Sequence, residues 1–147
     1  MRRLTRFYDP IVRWTTREST FKQRLVKQAQ ILGGHTVLDL GCGTGTLTIL
    51  AKKSSPHARV AGLTGDAAML EIARRKAAAG DVEVAFDRGS AVDLPYADHS
   101  FDRVLSSLLF HQLTRQNKRQ ALRKVLRVLR PGGELHVADW GKPANIL

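Results

Sequence analysis

The sequence predicts an α/β protein with a parallel sheet of about five strands and helices on both faces. Short apolar runs typical of buried strands alternate along the chain with longer segments of helical periodicity. The first strand, residues 37–40, continues into a turn with glycine at positions 41, 43 and 45, where the backbone can bend sharply and approach a ligand closely. A length of 147 residues suits a single domain, which we expect over residues 1–147.

Each element is expected from a local pattern. Apolar residues recur at helical spacing in residues 1–34, which we expect to form a helical N-terminal segment that Gly33 and Gly34 end. The core then occupies residues 35–140, with right-handed crossovers that make its strands parallel. Its expected strands are 37–40, 58–64, 82–86, 100–107 and 134–139, and its expected helices are 47–53, 67–79 and 114–130.

The helix expected over residues 114–130 is the most clearly amphipathic. Its apolar side consists of Leu122, Val125, Leu126 and Leu129, and its positive stripe consists of Arg119, Arg123, Arg127 and Arg130. The sequence Pro131-Gly132-Gly133 is expected to end this helix sharply before the last strand.

The composition limits the classes of function. The formal net charge of +11 is concentrated in the first 27 residues and in residues 115–142, which indicates either an anionic partner or a solvated basic surface. No apolar run has membrane-spanning length and the first residues lack the apolar segment of a secretory signal, so we expect a cytoplasmic protein without a membrane span. Cys42 is the only cysteine, which excludes an intrachain disulfide, and no compact cluster of histidines and carboxylates predicts a metal site.

The glycine turn separates two kinds of nucleotide site. A dinucleotide fingerprint needs glycine at the sixth position, where this sequence has Thr46. The run Val-Leu-Asp-Leu-Gly-Cys-Gly-Thr-Gly-Thr instead resembles motif I of the class I S-adenosylmethionine-dependent methyltransferases. Ser100-Phe101-Asp102 and the run from Arg127 to Leu135 resemble later motifs of that family, and the similarity is strongest to its ubiquinone and menaquinone methyltransferase group. The resemblance implies a Rossmann-like sheet in the order 3-2-1-4-5, truncated at the C-terminus so that the family's usual last two strands are lacking.

The resemblance also implies S-adenosyl-L-methionine as the cofactor. Asp39 would hold the methionine ammonium, with the cofactor lying against the turn formed by Gly41, Cys42, Gly43 and Gly45. Thr64 stands where the family usually has an acid for the ribose, with Gly65 and Asp66 beside it, and Asp66 has the alternative role of helix N-cap. Ser90 and Ala91 would face the adenine, and Ser106 or Ser107 would line the sulfonium region.

No residue is clearly catalytic in the sequence. His111, just beyond the fourth strand, is a weak candidate for cofactor contact or for a general base, and its alternative role is packing. Tyr8 is a second weak candidate, because an aromatic residue of the N-terminal segment can cover the cofactor in the family.

The sequence therefore predicts a methyltransferase with a small-molecule acceptor. One alternative is a non-catalytic binding or assembly module, because Thr64 and Ser90 depart from the family pattern and the last strands are lacking. A second alternative is a nucleic-acid methyltransferase, which the basic stripe suggests. Because the fifth strand has an open edge, we also expect either a homodimer near that edge or a C-terminal segment, residues 140–147, that folds over it.

Overall fold

The structure, a computed structural model, describes the backbone of residues 14–139 and the side chains of residues 19–139. The helices are α1 (Trp14–Ala29), α2 (Thr46–Ser54), α3 (Ala67–Ala79) and α4 (Arg115–Val128), with a short 3₁₀ helix at Phe110–Gln112. The strands are β1 (Thr36–Leu40), β2 (Arg59–Thr64), β3 (Ala85–Arg88), β4 (Phe101–Ser107) and β5 (Leu129–Ala138).

The five strands form one parallel sheet in the order β3-β2-β1-β4-β5. The predicted α/β class and strand order are therefore confirmed. The first strand, β1, lies between β2 and β4, so the chain reverses its direction of travel across the sheet at β1. In open sheets of this kind, ligands bind beyond the carboxyl ends of the strands at that reversal point.

Apolar side chains cover both faces of the sheet. Leu38 and Leu40 of β1 belong to the cluster that contains Val125 and Val128 of α4. Val37 instead belongs to the cluster formed by α1 and α2, because successive side chains of a strand point to opposite faces. Asp39 shares the face of Val37, and this alternation places its carboxylate beside α2.

Helix α1 ends earlier than the sequence predicts. The expected end was Gly33-Gly34, but the last helical residue is Ala29 and Gln30 takes a left-handed conformation with φ of 49°. Arg103 of β4 donates a hydrogen bond of 2.6 Å to the carbonyl of Ala29. A distant arginine therefore satisfies the helix end that a glycine cap was expected to satisfy.

The third strand also differs from its expected position at residues 82–86. The amide of Val82 still bonds to the carbonyl of Ala77 at 2.8 Å, so the turn after α3 continues through this residue. Ladder pairing with β2 begins only at Ala85, opposite Ala61. Pairing with β2 thus sets the start of β3, which the local sequence does not specify.

The boundary between α4 and β5 is the largest difference. The helix was expected to reach residue 130 and to end at Pro131, but it ends at Val128 and β5 begins at Leu129. The pairing of β5 with β4 is irregular in the segment that contains Pro131, because Leu129 pairs with Phe101 and Glu134 pairs with Arg103. Proline and glycine therefore mark a bulge within a strand here.

The predicted apolar side of α4 is confirmed in part. Val125 is buried, Leu122 packs against the same core cluster, and Leu129 is buried as the first residue of β5. The buried helical residues are Ala121, Val125 and Val128, whereas Leu126 is 46% exposed. The buried stripe therefore passes through the alanine at position 121, which the sequence analysis left out.

We predict that Gly45→Ala destabilises the fold by about 2–4 kcal/mol, through left-handed strain and overpacking together. Gly45 has a φ of 83°, and an added Cβ would lie 2.9 Å from both Ala73 Cβ and Phe86 Cζ. Gly34→Ala is the matched control, because φ is 87° there and an added Cβ would meet nothing within 4 Å. Urea denaturation measures both variants, and equal losses would contradict the packing role of Gly45.

Candidate active site

A cavity of about 810 Å³ lies at the carboxyl ends of the strands, in the size range of small-molecule sites. The turn after β1, the ends of β2, β3 and β4, and residues from all four α-helices line it. The lining consists of Lys22, Asp39, residues 41–44, Leu47, residues 63–66, Met69, residues 88–92, residues 107–109, Gln112, Leu113 and Asn117. Most of the predicted cofactor residues therefore surround one space.

The glycine turn forms one wall of this cavity. Gly41 and Gly43 have φ values of 73° and 54°, which side chains rarely tolerate. An added Cβ on Gly43 would lie 3.8 Å from Met69 Sδ, whereas one on Gly41 would lie 3.0 Å from a methyl of Leu109. The turn is tied to the sheet because the amide of Cys42 donates to the carbonyl of Leu63 at 2.8 Å. Gly45, a predicted cofactor residue, does not line the cavity and packs beneath α3.

Asp39 is the buried charge of the site. Its side chain is only 1% exposed and accepts a 2.7 Å hydrogen bond from the hydroxyl of Thr48. Burial raises the pKa of Asp39 to about 6, although the Thr48 bond and the positive charge of Lys22 each lower it. Lys22 extends from α1 to line the cavity near this carboxylate.

The sequence analysis missed Lys22. It belongs to no local motif, and it lies among several other cations of the N-terminal segment. Only the packing of α1 against the sheet brings it to the cavity, so the helical periodicity gave no signal that separates it from its neighbours.

The two serines at the end of β4 lie in different surroundings. Ser107 lines the cavity, while Ser106 is fully buried and does not. Neither hydroxyl oxygen has a hydrogen-bond partner among residues 19–139. A buried unpartnered hydroxyl beside a cavity is suited to bind a ligand, and this applies to Ser107 alone.

The end of β2 and the start of α3 carry two polar side chains, those of Thr64 and Asp66. Thr64 is 7% exposed, and its hydroxyl oxygen accepts the amide of Asp66 at 3.3 Å. Asp66 caps α3, because its carboxylate accepts the amides of Ala68 and Met69. The N-cap alternative for Asp66 is thus present, while Gly65 lies between the two residues in the cavity wall.

The loop after β3 forms the opposite side of the cavity. Ser90 and Ala91 line it, and Ser90 Oγ accepts the amide of Val92 at 3.2 Å. Arg88 lies in the same wall and donates to the carbonyl of Gly65 at 3.3 Å, which links this loop to the end of β2.

Cys42 has the environment of a packing residue. Burial raises the pKa of its thiol to about 12, so the thiolate needed for nucleophilic chemistry is not formed at neutral pH. The side chain fits because residue 62 is glycine: an added Cβ there would lie 3.0 Å from Cys42 Sγ and 2.9 Å from Thr48 Oγ1.

His111 does not line the cavity but is bound to a buried carboxylate. Its Nδ1 lies 2.7 Å from Asp139 Oδ1, and its amide donates to Asp139 Oδ2 at 3.1 Å. The sequence analysis placed Asp139 at the end of β5 but did not pair it with His111. Tyr8, the other catalytic candidate, lies outside the described residues, as does the segment 140–147 that was expected to fold over the edge of β5.

The predicted basic stripe is divided between α4, which holds Arg119, Arg123 and Arg127, and β5, which holds Arg130. Arg127 donates to the carbonyls of Tyr96 and Leu94 and pairs with Asp98, and Arg130 pairs with Asp102 at 2.6 Å. Arg127 therefore contacts the loop before β4 and Arg130 links β5 to β4, whereas Arg119 and Arg123 are exposed.

No helix within residues 14–139 is long and apolar enough to cross a membrane. No group of three or more histidine, cysteine or acidic side chains within that part could hold a metal ion.

Comparisons with known proteins agree with this architecture. Residues 37–133 match the family described as "Methyltransferase domain". Demethylmenaquinone methyltransferase of Lactobacillus johnsonii is 34% identical over 87% of the chain and 53% of its own length. The YcgJ protein of Bacillus subtilis superposes with a TM-score of 0.75 at 32% identity, over 82% of the chain and 50% of its own. The [4+2]-cyclase SpnF superposes with a TM-score of 0.78 at 27% identity, over 88% of the chain and 47% of its own length. The chain thus spans about half of each of these proteins, and it belongs to the methyltransferase domain family.

Proposed function

We propose that the chain forms the cofactor-binding part of an S-adenosylmethionine-dependent methyltransferase that acts on a small-molecule acceptor. The observation that supports this most is the buried Asp39 beside Lys22 at one end of a glycine-lined cavity. The name of the Lactobacillus johnsonii relative, demethylmenaquinone methyltransferase, supports a small-molecule acceptor.

The charges of the site fit the amino-acid part of this cofactor. A methionine moiety has an ammonium and a carboxylate on one carbon, and the cavity offers the Asp39 carboxylate and the Lys22 ammonium close together. Opposite charges in a low-dielectric site attract more strongly than they do in water. Asp39 would hold the ammonium, Lys22 would hold the carboxylate, and the Ser107 hydroxyl would accept or donate a further bond.

The nucleoside part would lie along the ends of β2 and β3. Thr64 offers one hydroxyl to the ribose, and Ser90 with the Ala91 amide faces the space for the adenine. Gly43 would let the ligand approach the main chain closely. It has a φ of 54°, it has no side chain, and the space beside it is open.

When bound, the cofactor supplies an electrophilic methyl group on a sulfonium. The residues of this chain would align that methyl with an acceptor, and alignment alone can contribute much of the rate enhancement. Fold alone does not fix the reaction, as the cyclase with the same fold illustrates. The non-catalytic module, the nucleic-acid partner and the homodimer near the edge of β5 stay predictions of the sequence.

We predict that Asp39→Asn and Lys22→Met each weaken binding of S-adenosylmethionine by about tenfold or more, because each leaves one charge of the ligand without its partner. Isothermal titration calorimetry measures the dissociation constants. Lys27→Met is the matched control, because Lys27 lies on the same helix but does not line the cavity. Absence of heat from the wild type at millimolar ligand would refute the proposed function.

We further predict that Asp39→Asn stabilises the ligand-free protein at pH 8. The folded-state pKa of about 6 exceeds the ordinary 3.8, so above pH 6 the folded protein holds a charge that the unfolded chain solvates better. The free-energy cost of burying this charge grows from pH 4 to pH 6 and reaches about 3 kcal/mol. The asparagine variant has no charge at this position and so lacks the cost. Urea denaturation at pH 4 and at pH 8 compares the two proteins. If Asp39→Asn were less stable than the wild type at pH 8, the result would contradict the raised pKa of Asp39.

Substitutions at Thr64 test the ribose contact. We predict that Thr64→Asp tightens adenosine binding by about tenfold, since a carboxylate makes stronger hydrogen bonds to two hydroxyls than a threonine makes to one. Thr64→Val, which keeps the shape and removes the hydroxyl, should weaken it. The three proteins should bind 2′,3′-dideoxyadenosine with equal affinity, because this ligand lacks the ribose hydroxyls. If affinity for it still fell in the order Asp, Thr, Val at position 64, Thr64 would not contact the ribose hydroxyls.

A further inference from the structure

A fully buried threonine contacts the buried carboxylate of the cavity. Thr48 is 0% exposed and Asp39 is 1% exposed, and Thr48 Oγ1 donates a hydrogen bond of 2.7 Å to Asp39 Oδ2. A buried hydroxyl needs a partner, and a hydrogen bond to an ionised oxygen is stronger than one between neutral groups. Asp39 lines the cavity whereas Thr48 does not, so Thr48 can act on a bound ligand only through Asp39.

The surrounding fold holds this hydroxyl in place. Thr48 is the third residue of α2, and the glycine turn connects that helix to β1, which carries Asp39. A Cβ added to Gly62 of β2 would lie 2.9 Å from Thr48 Oγ1, so the missing side chain at position 62 leaves the space that the hydroxyl occupies. Threonine also has few accessible rotamers, because it is branched at Cβ. The hydroxyl therefore has little freedom to move away from the carboxylate.

Few charged groups act on Asp39 from the elements packed around it. Among the described residues, Lys22 of α1 supplies the nearby charge, and the thiol of Cys42 stays neutral because burial raises its pKa to about 12. The ladder neighbours of Asp39 in β2 and β4 are uncharged. Burial raises the pKa of Asp39 to about 6, and the Thr48 hydroxyl is the strongest of the influences that lower it. Loss of this hydroxyl would therefore protonate Asp39 in more molecules at neutral pH.

We propose that Thr48 is the positioning residue for Asp39: its hydroxyl keeps the carboxylate in the orientation and the ionised state that the ammonium of the cofactor requires. This inference rests on the proposed function for the identity of the ligand. A protonated carboxyl group cannot form an ion pair with an ammonium, so binding is coupled to the loss of one proton from Asp39. Affinity should fall as the pH drops through about 6, by about tenfold for each further pH unit.

A titration of the ligand-free protein tests the first half of this proposal. The ¹³C signal of the Asp39 carboxyl carbon is followed by NMR, with Asp39→Asn to assign it. The midpoint should be about 6 in the wild type and about one to two pH units higher in Thr48→Val, which keeps the shape and removes the hydroxyl. Thr48→Ala is a second variant without the hydroxyl. Thr48→Ser, which keeps it, should titrate close to the wild type. Unchanged midpoints in the valine and alanine variants would overturn the proposal.

Thr46→Val is the matched control for these variants. Thr46 is the first residue of α2, and its hydroxyl accepts a 2.9 Å hydrogen bond from Lys76 Nζ. It does not line the cavity. The control therefore removes a hydroxyl that is bonded to a charged group on the same helix, and the Asp39 midpoint should stay at its wild-type value.

Calorimetry with S-adenosylhomocysteine from pH 5 to pH 8 tests the second half. The ammonium of the ligand titrates identically for every protein, so it cancels in the ratio of two dissociation constants. The ratio of Thr48→Val to wild type should rise from about twofold or less at pH 8 to about tenfold or more at pH 5. A purely structural role would weaken binding by the same factor at every pH, and that result would contradict the proposal.

The two measurements separate this inference from the proposed function. If S-adenosylhomocysteine does not bind to the wild type, the proposed function fails, while the NMR titration still shows whether Thr48 controls the ionisation of Asp39. If the ligand binds but the ratio of dissociation constants does not depend on pH, the positioning role of Thr48 fails and the cofactor site stands.

Discussion

The turn between β1 and α2 is the constraint on which the rest of the structure depends. Its backbone needs left-handed conformations at three glycines, and each has a different reason to lack a side chain. Gly41 lies under Leu109, Gly45 lies under Phe86 and Ala73, and Gly43 faces the cavity. The same turn therefore joins the two sides of the sheet and leaves main chain accessible to a ligand. Packing and ligand approach restrict these positions together, which leaves the turn little freedom to vary.

The cavity also holds the least favourable charge of the core. Asp39 is desolvated, and one hydroxyl and one nearby cation compensate it only in part, since its pKa is still raised. A ligand with an ammonium group would supply the missing counter-charge and so couple its binding to the stability of the fold. An amide of the same shape would fill the space without the charge, so the proposed recognition of an ammonium group would account for the carboxylate.

Features encoded in one continuous segment were predictable from the sequence. The glycine turn and the Asp66 cap position follow from local patterns that the structure reproduces. The strand order, which the family resemblance implied, is also present. Features set by partners far along the chain were not predictable. Arg103 donates to the last carbonyl of α1, and the packing of α1 brings Lys22 to the cavity. His111 was visible as a candidate, but its partner lies 28 residues away and shares no motif with it.

The carboxyl edge of the sheet has two halves that follow different strands, the cavity and the His111–Asp139 pair. The residues proposed for the cofactor follow mainly β1, β2 and β3, whereas His111 and Asp139 follow β4 and β5. Because β1 and β4 are paired directly, with Leu40 opposite Ser106, the relative position of the two halves is fixed by ladder hydrogen bonds and not by a flexible hinge. Acceptor chemistry can therefore change through the loops after β4 and β5 while the cofactor half stays the same, which agrees with a family whose members share the fold and differ in reaction.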